Sequence, residues 1–203
     1  MNASKILTIA VAFALLASTL MPIFGIGPVA KAAAEEDTIK IGFLNPSTGP
    51  IAVYAEAFSD AAQIAIDHLN EDSTTHTFEL VEADSGCSGT TAATGAQSLV
   101  DAGVVGIAGA ACSGATLGAM EVAKAASIPL VSYASTSPAL TTADDGGYMF
   151  RVVPSDAQQG MAMATMAASH GWQNPGLIYM SNDYGAGLAG VVKAAYGAGG
   201  VSM

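Results

Sequence analysis

Short runs of apolar residues alternate along this chain with longer stretches in which apolar positions recur every three or four residues. The runs lie at 39–44, 78–83, 104–108 and 129–132, and the helical patterns between them at 54–69, 91–102 and 115–126. Strands alternating with helices of this length predict right-handed crossovers and a parallel sheet. The strands are nearly continuous Val, Ile, Leu and Gly, the pattern expected where helices cover both faces. The first helix gathers Phe58, Ala61, Ala62, Ile64, Ala65 and Leu69 on one broad stripe and places Glu56, Asp60, Asp67 and Asn70 elsewhere. Residues 35–148 are therefore expected to form one doubly wound α/β lobe. An extended stretch follows, Tyr148-Met149-Phe150-Arg151-Val152-Val153-Pro154, then a helix to Ser169, a strand over 176–180 and a helix over 184–195. Residues 149–203 thus read as a crossover and the start of a second, similar lobe, C-terminally truncated because it is too short to bury a core of its own.

The N-terminal pattern is different in kind. Lys5 precedes a stretch without charge from Ile6 to Ala30, and Ala30-Lys31-Ala32 and Ala32-Ala33-Ala34 both have the small-x-small form cut by signal peptidase. Pro22, Gly25, Gly27 and Pro28 break the apolar core after about 16 residues, short of the roughly 20 that a membrane span needs. Residues 1–34 are expected to be a signal peptide cleaved near Ala32 or Ala34, leaving a periplasmic protein. No Cys precedes Cys87, so the leader offers no lipid-modified cysteine.

Charge narrows the function classes. The chain carries a formal net charge of -11, and loss of Lys5 and Lys31 with the leader would take it to -13. A chain this acidic is a poor partner for nucleic acid or anionic lipid. Its acids are scattered singly or in pairs, as on a solvated surface. His68, His76 and His170 lie apart, and with two cysteines they give no metal-ligand spacing. Cys87 and Cys112, each just beyond a predicted strand of an exported chain, predict a disulfide. On the chain-entropy model it contributes about 3.5 kcal/mol.

The suggestive chemistry falls at the carboxyl ends of the predicted strands, where open parallel sheets bind ligands. Ala110-Ala111-Cys112-Ser113 and Tyr133-Ala134-Ser135-Thr136 are apolar strands running into hydroxyl-rich turns that open helices, the second through Ser137-Pro138. Two helix N-termini side by side, trimmed with Ser and Thr, make a seat for a carboxylate. Tyr54 and Tyr184, beside Pro-Gly and Asn-Asp loops, suit the walls of a small-ligand pocket. The strongest rival signal is Gly185-Ala186-Gly187-Leu188-Ala189-Gly190, which has the dinucleotide form. Ser181-Asn182-Asp183-Tyr184 separate it from its strand, however, and no strand ending in an acid follows, so close helix packing explains it better. Ser113 sits in Ala111-Cys112-Ser113-Gly114-Ala115 rather than G-x-S-x-G, and no His-Asp pair can be assigned to it. A catalytic site and a cofactor are not expected.

As a set, several segments resemble the periplasmic solute-binding proteins of branched-chain amino acid ABC transporters, with the type I periplasmic-binding fold. They are Ile41-Gly42-Phe43-Leu44 through Thr48-Gly49-Pro50, the Cys87 and Cys112 pair, Cys112-Ser113, Ala134-Ser135-Thr136-Ser137-Pro138-Ala139-Leu140, Phe150-Arg151 and Asp183-Tyr184-Gly185 with Gly187. The resemblance runs from Ile39 to the end of the chain. It implies that Ser113 and Thr136 bind a ligand carboxylate, that the Ala134 carbonyl accepts from a ligand ammonium, and that Tyr54 and Tyr184 flank the ligand. The family also uses an acid and an aromatic from later in the second lobe, which fall beyond Met203. Ala55 stands where members commonly have glycine. The expected function is non-enzymatic: a monomeric protein closes its two lobes on an amino acid or related carboxylate and delivers it to a permease. Alternatives of the same fold are a sensor domain and a binder of amides, urea or aromatic acids. From another class, a nucleotide-dependent reductase built on Gly185 to Gly190 is disfavoured by export.

Overall fold

The structure, a computed structural model, describes residues 37–198; the expected signal peptide lies outside the described residues. Five strands, β1 (Asp37–Asn45), β2 (His76–Asp84), β3 (Ile107–Ala108), β4 (Leu130–Ser132) and β5 (Met149–Arg151), form one sheet in the order β2-β1-β3-β4-β5. Every pairing is parallel. The helices are α1 (Ala55–Asp72), entered through a 3-10 turn at Ala52–Tyr54, α2 (Gly89–Asp101), α3 (Ser113–Ala126), the single turn α4 (Ala139–Thr142), α5 (Asp156–Ser169) and α6 (Asp183–Ala198). The α/β doubly wound architecture expected from the alternation is the observed one.

Alternation along β1 decides which side chains meet which helix. Leu44 is fully buried with Leu99 of α2, Ile107, Leu130, and Ala115, Ala119 and Met120 of α3. Ile41 and Phe43 face the other way, toward Phe58, Ala62 and Ile66 of α1. Small residues let α2 and α3 approach closely, and a Cβ at Gly118 would collide with the Gly89 carbonyl. Leu140 and Met149 extend the same core beneath α4 and β5.

Three features differ from the sequence expectation. Helices do not cover both faces evenly: α1 lies over β1 and β2, while Val131 and Phe150, paired across β4 and β5 in register with Ala108, remain 36% and 54% exposed. The extended stretch at 148–154 is not free of the first sheet, since β5 hydrogen-bonds to β4 through Leu130↔Met149 and Ser132↔Arg151. Arg151 fixes it further by donating to the Ser137 carbonyl at 2.9 Å and to Thr141 Oγ1. Finally, residues 176–180 form no strand. No neighbour among the described residues offers them a ladder, and Ile178 is 99% exposed. Beyond β5, α5 and α6 pack on each other through Ala164, Ala167 and Tyr196.

Candidate functional site

Strand order reverses at β1, which has β2 on one side and β3 on the other. Open parallel sheets bind ligands in the crevice beyond such a switch point. A cavity of about 270 Å³ lies there. Pro50 and Ile51 of the loop after β1 wall it, as do Cys87 after β2, Ala111 to Gly114 after β3 and Ala134 after β4. Met180, Asn182, Asp183 and Tyr184, at the start of α6, close the opposite side. A second cavity of about 380 Å³, between α1 and the sheet, is lined by Ile41, Phe43, Phe58, Leu80 and their neighbours. It has almost no polar group to orient a ligand.

The turn after β3 is held from below by buried hydroxyls. Ser132 Oγ donates to the Ala110 carbonyl at 2.6 Å, and Ser135 Oγ reaches the Ala110 and Ala111 carbonyls at 3.1 and 3.2 Å. Thr116 Oγ1 accepts the Ala110 N–H at 3.2 Å and shares a hydrogen bond with Ser135 Oγ at 2.7 Å. All three side chains are essentially fully buried, so this network fixes the turn instead of meeting a ligand. From above, the Cys87–Cys112 disulfide, Cα–Cα 5.2 Å, ties the turn to the loop after β2. The bridge expected from the sequence is present.

Ser113 is the first residue of α3, with Cys112 at the N-cap and no side-chain cap bond. Its side chain does not cap the helix. Its Oγ accepts the Ser137 N–H at 3.2 Å, which leaves the hydroxyl proton free to donate. The first main-chain bond of α3 runs from the Thr116 N–H to the Cys112 carbonyl at 2.9 Å. The N–H groups of Ser113, Gly114 and Ala115 are therefore left without intrahelical acceptors at the positive end of a 14-residue helix.

The second half of the expected seat is built differently. The helix after Ser137-Pro138 has only four residues, Ala139–Thr142, with Pro138 at its N-cap, so it adds little dipole. Thr136 does not line the cavity: its hydroxyl donates to Asp156 Oδ2 at 2.7 Å, and its carbonyl accepts the Asp156 N–H at 2.8 Å. Asp156 is 1% exposed, and a buried carboxylate holds a hydroxyl proton strongly. The Thr136 N–H has no acceptor among the described residues. Ala134 does border the cavity, and its carbonyl accepts no hydrogen bond from the described residues.

Of the two tyrosines, only Tyr184 borders the cavity. Tyr54 ends the 3-10 turn with its ring turned onto Phe58 of α1, centroids 6.1 Å apart, and Phe58 meets Tyr133 at 5.5 Å. Pro50 and Ile51 provide the wall that the sequence assigns to Tyr54. Burial, and secondarily the Glu82 carboxylate, push the Tyr133 phenol well above its ordinary value, so it stays neutral. It donates to the Leu44 carbonyl at 3.4 Å. The glycines in the first turns of α6 serve close packing at two positions: Cβ atoms at Gly185 and Gly187 would strike the Met180 carbonyl and Ser137 Oγ, whereas Gly190 has open space. Asp183 and Asn182 are site residues that sequence reasoning passed over; their place directly before Tyr184 was the available signal. Among the described residues no cluster of His, Cys, Asp and Glu is arranged to hold a metal ion.

Comparison with known proteins places this geometry in a family. The curated leucine-, isoleucine-, valine-, threonine- and alanine-binding protein of Pseudomonas aeruginosa is 28% identical over 181 residues, covering 87% of this chain and 48% of that protein. The crystal structure of an ABC transporter substrate-binding protein from Desulfitobacterium hafniense in complex with Leu superposes with a TM-score of 0.62 at 28% identity, over 83% of this chain and 49% of that one. A leucine binding protein from Thermotoga maritima gives a TM-score of 0.68 at 28% identity, over 81% and 47%. The chain thus spans about half the length of these relatives. The family model described as periplasmic binding protein matches residues 38–203, which take in all five strands but for Asp37, the cavity and α6, and the chain belongs to that family.

Proposed function

We propose that this chain forms the ligand-capturing part of an exported ABC-importer binding protein that takes up a small carboxylate-bearing solute of the amino-acid type. One observation carries the reading: Ser113 and Gly114, with their free N–H groups and the Ser113 hydroxyl at the start of α3, border the cavity faced by Tyr184. There a ligand carboxylate meets the Ser113 hydroxyl and the helix N-terminus. Thr136 joins through its main-chain N–H, and the Ala134 carbonyl accepts from an ammonium. Tyr184 lies on the ligand from the α6 side, and Tyr54 reaches it only after turning away from Phe58. Two lobes, divided after β5, close by bending at Val153-Pro154-Ser155, which follow the last residue bonded to β4, because ligand contacts on both sides favour the closed state. The protein is a monomer that hands its cargo to a membrane permease, and it reaches the periplasm by cleavage of residues 1–34. It performs no catalysis. Relatives carrying leucine support the amino-acid class.

Thermal unfolding of the full-length secreted protein against amino acids, amides, urea and aromatic acids tests this. A ligand at 100 times its Kd adds about 2.7 kcal/mol. A shift with leucine, isoleucine or valine supports the amino-acid reading. A shift confined to amides, urea or aromatic acids removes that class while keeping the cavity. No shift with any of them removes the proposal.

A further inference from the structure

We infer that Asp183 is a specificity-determining residue of this cavity, reading the ammonium of an α-amino acid and turning away carboxylates that lack one. The inference rests on the proposed reading of the cavity as the ligand site. Asp183 opens α6, far along the chain from α3, yet its Oδ2 lies against Gly114 in the first turn of α3, where an added Cβ would collide with it. Both residues border the cavity. No described residue donates a hydrogen bond to the Asp183 carboxylate, so its acceptor capacity remains open toward the cavity. No Lys, Arg or His is among the cavity-lining residues, so Asp183 brings its only formal charge.

These facts constrain the ligand. A carboxylate drawn to the α3 N-terminus by Ser113 and the free N–H groups comes to rest beside a second carboxylate, with no cationic side chain to separate them. Like charges at that range repel, more so once the closing site sheds water. An α-amino acid resolves the conflict because its ammonium lies one carbon from its own carboxylate. The ammonium then lies between two carboxylates, the ligand's own at the α3 N-terminus and that of Asp183 beside it. A ligand without the ammonium leaves the two anions facing each other. Asp183 acts from the start of α6, in addition to the later acid that the family resemblance implies.

The test is titration calorimetry of the full-length protein with leucine and with 4-methylpentanoate, which is leucine without its amino group. Wild type should prefer leucine. Asp183→Asn, which keeps a good helix-starting residue, should weaken leucine about 10- to 100-fold and leave 4-methylpentanoate unchanged or tighter, with the unfolding temperature unmoved. Asp183→Glu should retain most of the preference. Equal weakening of both ligands in Asp183→Asn would show a merely structural role and overturn the inference, as would unchanged leucine affinity. A wild type that prefers 4-methylpentanoate overturns the inference but keeps the cavity reading. A wild type that binds neither overturns the cavity reading and the inference with it.

Discussion

The turns after β3 and β4 are alike in residue type and different in use. Each carries small residues and hydroxyls off the end of a parallel strand. The turn after β3 is fastened within its own layer, by the Cys87–Cys112 bridge and the buried hydroxyls of Thr116, Ser132 and Ser135. Ser113 is thereby held at the cavity with a proton to give. The turn after β4 shares the Ser135 bonds but is also fastened to a later element, because Thr136 commits its proton to Asp156 at the first position of α5. Hydroxyl content alone does not make a ligand seat. What separates the two turns is which group arrives from elsewhere in the chain to take the hydrogen bond.

The largest expected effect breaks the first fastening. Replacing both Cys87 and Cys112 by Ser should lower unfolding stability by about 3.5 kcal/mol on the chain-entropy model, read from the urea midpoint. It should also weaken ligand binding, since Cys112 immediately precedes Ser113. A loss below about 1 kcal/mol would mean that the hydroxyl network holds the turn by itself.

Next comes a pair that sharpens the contrast directly. Thr136→Val removes the proton from a 1% exposed carboxylate and should cost about 2–3 kcal/mol of stability, while keeping the main-chain N–H that we assign to the ligand. Ser113→Ala should cost about 1 kcal/mol or less of stability but weaken binding about 10- to 100-fold. Urea unfolding and titration calorimetry on both variants should therefore rank them in opposite orders. If Thr136→Val is the worse binder and the more stable protein, the two turns have been assigned the wrong way round.

What the sequence made legible follows from what local patterns encode. Alternating apolar runs and helical stripes carry the parallel sheet and its flanking helices because crossovers leave few topologies open, and two cysteines just beyond successive strands admit one bridge. Ser113 was legible since a Ser at a strand-to-helix turn lands at the cavity whatever the rest of the chain does. Thr136 and Tyr54 stand off the cavity wall for a common reason. Their immediate neighbours say nothing of Asp156 or Phe58, the groups that capture them. The strand expected at 176–180 depended on a partner that local hydrophobicity cannot supply. Asp183 escaped notice because its importance lies in Gly114, a residue with no side chain to advertise the contact.

The smallest expected effect concerns the loop that brings Pro50 and Ile51 to the cavity. Asp84, at the end of β2, accepts from Thr48 Oγ1 at 2.5 Å and from the N–H groups of Thr48 and Gly86 at 3.1 and 2.8 Å. Burial works to raise its pKa, but the Thr48 hydroxyl and these N–H groups together outweigh it and hold the carboxyl below the ordinary 3.8. A folded-state pKa below the unfolded one contributes stability that is present above the unfolded value and lost as pH falls through the folded one. Thr48→Val removes the side-chain bond and should bring the Asp84 pKa back toward 3.8. The variant should therefore be slightly less stable than wild type at neutral pH, and the gap should close as pH drops below about 4. Thermal unfolding from pH 7 to pH 2.5 reads this directly. A gap that stays constant with pH would assign the Thr48 contribution to packing of the loop rather than to the Asp84 charge.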